Sequence, residues 1–185
     1  MNIDELRSAA DKIYENIISL NVNLDNVAPY LPLKNSKWGV IWFDEYYDMS
    51  KDLTLLMNPI LLEKIYDVVK RKEKLYFYDG KNVLHSDDLI DLSDNEQVCS
   101  LVLPFYAFDE SSEWLLEFHI EGCNFYGNKN YIALVVEQLG GVNEVISMIS
   151  TSLEEWKAIR PLSENEIEYQ DNLNKRLREL CNSPE

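Results

Sequence analysis

A long run of carboxylates without basic residues is the chemically richest part of this sequence. Between Asn82 and Asn128 the chain has ten Asp and Glu residues and neither Lys nor Arg. Carboxylates attract cations, form charge-assisted hydrogen bonds with Arg and Lys, and repel phosphate groups. The region therefore predicts a negative surface that binds a basic protein partner.

The whole chain is acidic, with a formal net charge of −16 over 185 residues. This charge disfavours a nucleic-acid partner, because a phosphate backbone is bound by clustered Lys and Arg. The one basic cluster lies where a helix is expected to end and complements its dipole: Lys70, Arg71, Lys72 and Lys74. Acidity also keeps proteins soluble. The sequence therefore leaves two interpretations of the charge open: a specific binding face, or solubility alone.

The residues expected to contact a partner combine acidic side chains with two tyrosines. Tyr46 and Tyr47 stand among carboxylates directly after the segment WGVIWF, and aromatic rings provide rigid contact area and hold cations over their faces. The structural alternatives are tyrosines that shield a strand end and acids in solvated turns. The predicted partner-binding set is Asp44, Glu45, Tyr46, Tyr47, Asp48, Asp87, Asp88, Asp109, Glu110, Glu113, Glu117 and Glu121.

Patterns typical of catalysis or metal binding do not occur in the sequence. It has no GxSxG, P-loop, GxGxxG or HExxH pattern, and the 109–113 loop lacks the glycine and the spacing of an EF-hand. His85 and His119 lie beside acids, which favours surface histidines over a general base. We expect no catalytic residue, no metal and no cofactor, and a protein that is not an enzyme.

Periodicity and end signals predict the elements that position these residues. Apolar spacing predicts helices near 3–20, 59–72, 142–158 and 164–181, with Asn58-Pro59 and a Ser163/Glu166 capping box as start signals. Residues 130–139 fit a helix or a strand equally well, and Gly140-Gly141 marks a break. Strands are expected at 38–43, 75–78, 98–107 and 114–120, with a hairpin turn at Asp79-Gly80.

These elements predict one α+β domain over residues 1–185. A mainly antiparallel sheet of about 5–6 strands would pack with an N-terminal helix and C-terminal helices, and the aromatic strand 38–43 would lie centrally. A stripe of Leu173, Leu177 and Leu180 is expected to pack on the domain or, alternatively, to form a weak homodimer seam.

Several features predict a soluble cytoplasmic protein. Cys99, Cys123 and Cys181 form no CxxC pair, which is typical of a reducing compartment. No segment has the roughly 20 apolar residues of a membrane span, and acids interrupt the first 20 residues, where a secretory signal would need an apolar core. We therefore expect neither export by that route nor a membrane partner.

The second half of the chain resembles the SUKH superfamily, a group rich in bacterial immunity proteins. The resemblance lies in LVLPFYAFDESSEW, a strand ending in an acidic loop, then the strand LLEFHI and a helix closing on ISTSLEEWKAI. It covers roughly 60 residues. The Leu-Pro-containing helix and Asn-Gly turn of that family have no match here, because Leu31-Pro32 leads into a strand, and the chain has a further helix beyond Arg160. The resemblance implies a protein that neutralises a cognate toxin.

Charge and resemblance together favour an immunity or inhibitor protein. A small acidic domain is suited to covering the active site of a basic toxin such as a nuclease, because opposed potentials speed encounter and fix docking. The alternative is a stand-alone adaptor or small-molecule-binding domain whose acidity serves solubility.

Overall fold

The computed structural model describes residues 4–5, 8–9, 37–43, 59–69, 75–79, 83–86, 105–119 and 122–182. The strands in these ranges are β1 Trp38–Phe43, β2 Leu75–Tyr78, β3 Val83–Ser86, β4 Phe105–Phe108, β5 Trp114–His119 and β6 Gly122–Asn128. The helices are α1 Pro59–Val69, α2 Lys129–Gln138, α3 Val142–Ile159 and α4 Glu164–Asn182. Residues 4–5 and 8–9 are helical as well.

The strands form one antiparallel sheet in the order β1-β6-β5-β4-β2-β3. The predicted α+β fold and its antiparallel sheet are therefore confirmed. The prediction that β1 is a central strand is wrong, because within the described residues β1 lies at one end of the sheet. All six of its residues are nevertheless buried, since other parts of the protein cover both of its faces. A strand that is buried on both faces is apolar at successive positions, and this is the pattern that also predicts a central strand.

Helices cover one face of the sheet. α2 packs against β1 and β6, and α4 packs against α2 and β1. Gly39 permits this close approach, because a Cβ atom there would lie 2.8 Å from Leu180 Cδ1 and 3.1 Å from Ile132 Cγ1. Since side chains alternate between the faces of a sheet, the strand register places a set of fully buried aromatic residues on this face: Phe43, Phe77, Phe105, Trp114, Phe118 and Phe125.

The leucine stripe of α4 faces the interior. Leu173, Leu177 and Leu180 are all buried, so this stripe packs within the chain. Arg176, on the same helix, donates a hydrogen bond from Nε to the carbonyl oxygen of Trp38 at 2.6 Å. The last helix is therefore joined to the first strand of the sheet by apolar packing and by a polar contact.

The helix ends follow their capping residues. The predicted Ser163/Glu166 capping box is confirmed: the Ser163 N–H donates to Glu166 Oε2 at 2.7 Å, and the Glu166 N–H donates to Ser163 Oγ at 3.3 Å. The Asn128 side chain accepts hydrogen bonds from the N–H groups of Asn130 and Tyr131 at 3.0 and 3.1 Å. This cap makes 129–138 a helix, where the periodicity alone allowed a helix or a strand.

Most predicted bounds agree with the structure to within a few residues. The predicted helix 59–72 ends at Val69, and the two last helices each extend one residue further than predicted. The predicted strand 98–107 is described only from Phe105 and continues to Phe108. Of the predicted helix 3–20, residues 4–5 and 8–9 are helical and the remainder lies outside the described residues. β6 is a strand that the pattern did not predict.

No single helix in the described ranges has both the length and the apolar composition needed to cross a membrane. α2 and α3 meet that test only when taken as a pair, and they are bent by 80° at the break between them.

Candidate acidic binding site

The structure describes four of the predicted partner-binding residues: Asp109, Glu110, Glu113 and Glu117. The first three belong to the β4–β5 loop, which we define as residues 109–113, and Glu117 lies in β5. The others lie outside the described residues: Asp44, Glu45, Tyr46, Tyr47, Asp48, Asp87, Asp88 and Glu121. The backbone places His85 in β3 and His119 in β5.

The β4–β5 loop is fixed by hydrogen bonds between its own residues. Asp109 Oδ1 accepts from the backbone N–H of Ser111 at 2.9 Å and also from the Ser111 hydroxyl. Ser111 Oγ in turn accepts from the backbone N–H of Glu113 at 3.2 Å. Such side-chain-to-backbone bonds hold a turn in one conformation, and Ser112 completes it with a left-handed φ of 56°. The acidic loop is therefore a defined turn.

Asp109 supports this turn from the inside. Only 1% of the residue is exposed, and its Oδ2 is buried without a hydrogen-bond partner. The side chain is therefore not part of the exposed surface on which the prediction placed it. The physical reason is that the hydrogen bonds from Ser111 satisfy part of the carboxylate locally and so permit its burial.

Glu110 has the opposite environment from its neighbour. It is exposed, and its Oε1 accepts a hydrogen bond of 2.7 Å from the hydroxyl of Tyr76 in β2. Burial, the hydrogen bond to Glu110 and the negative charges of Glu110 and Glu5 together raise the pKa of this tyrosine to about 12. The hydroxyl therefore remains a donor at neutral pH. A neutral hydroxyl at the sheet surface thus positions the exposed carboxylate.

Glu113 joins the loop to the start of α2. Its carbonyl oxygen accepts from the N–H of Asn128 at 3.0 Å, and Asn128 is the residue that caps α2. Glu113 is itself half-buried. The β4–β5 loop is therefore anchored at one side to β2 through Tyr76 and at the other to β6 and α2.

Glu117 lies in a polar cluster on the sheet face opposite the helices. Its Oε2 accepts from Asn124 Nδ2 at 3.1 Å and from the Tyr126 hydroxyl at 2.9 Å. The register explains these bonds, since Glu117 is directly opposite Asn124 in the β5–β6 pair and Tyr126 is two residues further on the same face. Burial raises the pKa of the Glu117 carboxyl, while the bonds from Asn124 and Tyr126 lower it by less.

The burial of Glu117 also corrects the sequence interpretation. The residue is 8% exposed, whereas Asn124 and Tyr126 are fully buried, so this carboxyl belongs to the interior of the fold. The sequence predicts a surface position for this acid, because acids are rarely buried unless they have partners. The partners, Asn124 and Tyr126, lie in the strand that the sequence pattern did not predict.

The described part of the candidate site is therefore smaller than the predicted acidic face. Its exposed carboxylate is Glu110, with half-buried Glu113 beside it and buried Asp109 beneath. Tyr76 is the residue of the candidate site that the sequence analysis missed, because its contact with Glu110 depends on the pairing of Tyr76 with Phe108 at the end of β4. Within the described ranges, no group of three His, Cys, Asp or Glu residues is arranged to hold a metal ion.

Comparisons with known proteins found no match to this chain, either among protein-family models, among curated proteins or among solved structures.

Proposed function

We propose that this chain is an acidic protein-binding domain that binds a basic protein through its β4–β5 loop. Within that class, we propose an immunity or inhibitor protein that covers the active site of a toxin such as a nuclease. The observation that carries the proposal is the fixed presentation of Glu110: an exposed carboxylate on a hydrogen-bonded turn, held at 2.7 Å by the hydroxyl of Tyr76.

Fixing a carboxylate in advance favours binding of Arg and Lys. An ion pair between mobile surface side chains contributes little, because both side chains lose conformational freedom when they meet. Tyr76 and the Asp109–Ser111 bonds have already restricted Glu110 and its loop, so less freedom is lost on binding. The position of the carboxylate then determines where a cationic side chain docks.

The charge of the whole chain supports the choice of partner. A net charge of −16 attracts a basic protein from a distance and speeds its association, especially at low ionic strength. A nuclease must bind phosphate groups, so its active site is typically positive. A domain of this charge is therefore suited to blocking such a site.

The proposal predicts that a neighbouring reading frame encodes a toxin with nuclease activity, and the test uses that protein. The purified chain should inhibit the DNA or RNA cleavage of that toxin. Glu110→Gln should slow association several-fold at low salt and weaken its salt dependence, because one charge is lost. The thermal midpoint should hardly change, since the amide oxygen of Gln still accepts from Tyr76.

Glu137→Gln is the matched control, because it removes one charge from an exposed position on α2, away from the loop. Its association rate should stay within about twofold of that of the unmodified protein. An uninhibited toxin would contradict the proposed function. Equal association rates for the Glu110 and Glu137 variants would remove the loop from the interface.

A further inference from the structure

The hydrogen-bonded cluster of Glu117 leaves one oxygen of its carboxylate unused. Both donors, Asn124 Nδ2 and the Tyr126 hydroxyl, reach the same oxygen, Oε2. Oε1 accepts no hydrogen bond from the described residues, and it is not one of the atoms that are cut off from solvent. Asn124 and Tyr126 are fully buried, whereas Glu117 keeps 8% of its surface. The cluster therefore opens to solvent at Oε1.

The charge of this carboxylate has no counter-ion within the described part of the chain. The side chains that act on it are its two hydrogen-bond donors, and neither is a cation. Buried charges in proteins are normally paired with an opposite charge, because taking an unpaired charge out of water is costly. A cation bound at Oε1 would supply the missing charge.

A purely structural role would not require an acid at this position. The amide oxygen of a glutamine could accept the same two hydrogen bonds from Asn124 and Tyr126, and no charge would then be buried. A buried acid whose ionised form costs stability is typical of binding and catalytic sites. The carboxylate of Glu117 therefore indicates a use for its charge.

Two half-buried tyrosines continue the site across the sheet. Tyr106 in β4 is directly opposite Glu117, and Tyr78 in β2 is directly opposite Tyr106, so the three side chains lie in one row on the same face. Because neighbouring strands are about 5 Å apart, Tyr106 lies within reach of a cation held by Glu117, and Tyr78 follows one strand further on. Aromatic rings attract cations over their faces and pack on apolar groups.

The geometry disfavours other classes of ligand. An anion would be repelled by Glu117. A hard metal ion needs several oxygen ligands, whereas Asn124 and Tyr126 present hydrogen atoms to this cluster. A protein surface cannot reach a residue that is 8% exposed, but the narrow ammonium end of a small molecule can.

We propose that this face of the sheet binds a small organic amine. The ammonium group donates to Glu117 Oε1, and the apolar body of the amine packs on the rings of Tyr106 and Tyr78. The site goes beyond the proposed function, since it uses neither the β4–β5 loop nor a protein partner.

The test compares phenethylamine with phenethyl alcohol, which has the same apolar body and a neutral hydroxyl in place of the ammonium group. Isothermal titration calorimetry of the full-length chain gives both dissociation constants near neutral pH and at 0.15 M salt, where long-range attraction is screened beyond roughly 8 Å. The chain should bind the amine about tenfold more tightly or better, because hydrogen bonds between charged groups are stronger than neutral ones.

A pair of variants separates this site from general acidity. Glu117→Gln removes the charge and keeps an acceptor for Asn124 and Tyr126. It should weaken amine binding about tenfold and remove the preference over the alcohol, while the thermal midpoint stays equal or rises. Glu137→Gln is the matched control, because it removes one exposed negative charge on α2, and it should leave amine binding unchanged.

Nuclear magnetic resonance locates the amine on the unmodified chain, so the proposal is decided even if Glu117→Gln does not fold. The side-chain amide of Asn124 bonds to Glu117, and its signals should shift when the amine is added. The proposal is overturned if amine and alcohol bind equally well, if neither binds, if the Asn124 signals do not move, or if a folded Glu117→Gln variant keeps the preference for the amine.

Discussion

The two faces of the central sheet are both buried, but they are built from different chemistry. The helix-covered face consists of apolar side chains, such as Phe118 stacked on Phe105 at 4.6 Å and Trp114 stacked on Phe125 at 6.1 Å. The opposite face carries the buried hydrogen-bonded cluster of Glu117 with Asn124 and Tyr126. The first face is stabilised by burial of apolar area. The second also buries apolar side chains, among them Trp42, Phe108 and Leu115, but in addition it must satisfy the polar groups of this cluster.

This contrast explains where the acidic sequence run was misleading. Alternation along β5 sends Leu116 and Phe118 to the helices and Glu117 to the other face. An acid on the sheet face that points away from the helices is expected to be exposed to solvent. In this protein the side chain of Glu117 on that face is buried. The same acidic run therefore contains interior carboxyls, Asp109 and Glu117, and a surface carboxylate, Glu110.

The largest expected effect is on the helix-covered face. Phe118→Ala removes a fully buried ring and leaves a cavity beside Phe105, so it should lower the free energy of unfolding by roughly 3–5 kcal/mol. Urea unfolding followed by circular dichroism measures this difference. Leu134→Ala, at a position on α2 that is 44% exposed, is the control and should change stability by less than about 1 kcal/mol. Equal losses would mean that the aromatic packing does not dominate this face.

A smaller and pH-dependent effect is expected on the polar face. The pKa of Glu117 is raised in the folded chain by burial, so its contribution to stability is fully present below about pH 4.5 and is lost as the pH rises through the folded value. Glu117→Gln resembles the protonated acid. The variant should therefore match the unmodified protein near pH 4.5 and exceed its stability by an amount on the order of 1 kcal/mol at higher pH.

The measurement is urea unfolding of both proteins at several values of pH between 4.5 and 8. Glu137→Gln, at an exposed position, serves as the control for the loss of one negative charge. A stability difference between the Glu117 variant and the unmodified protein that does not change with pH would show that this carboxyl is ionised in the fold as readily as in the unfolded chain.

The smallest expected effect is outside the sheet and has the opposite pH dependence. The hydrogen bond from Arg160, with those from Ser163, lowers the pKa of Glu166 to about 2. Its contribution is therefore present above about pH 4.5 and is lost as the pH falls toward 2. Glu166→Gln should destabilise the protein by about 0.5–1 kcal/mol at pH 7 and by less at pH 3. Glu168→Gln on the same helix should show no such trend in thermal unfolding.

The sequence predicted correctly those helix starts and strand pairs that depend on residues close together in the chain. The capping box at Ser163 and Glu166 is present with the expected bonds, and the helix that follows Asn58-Pro59 begins at Pro59. The predicted hairpin is confirmed by the antiparallel pairing of β2 with β3, but Tyr78 is opposite Val83, so four positions separate the paired residues where the Asp79-Gly80 turn predicted two. At a helix start the signal lies in the few residues next to the first turn, so a short stretch of sequence is sufficient.

Features that depend on distant pairing could not be predicted in the same way. β6 has the sequence GCNFYGN, whose glycine and asparagine residues disfavour a strand, but it pairs with β1 on one side and β5 on the other. The buried state of Glu117 depends on that same strand, because Asn124 and Tyr126 supply its hydrogen bonds.

The pairing of β1 has a consequence for the order in which the chain folds. Trp38 pairs with Asn128, and its carbonyl group bonds to Arg176, so this aromatic strand meets its partners only after most of the chain has been synthesised. Contacts between residues so far apart in sequence slow folding. Until they form, the segment WGVIWF is an apolar strand without its native neighbour, so the nascent protein needs protection from aggregation at this segment.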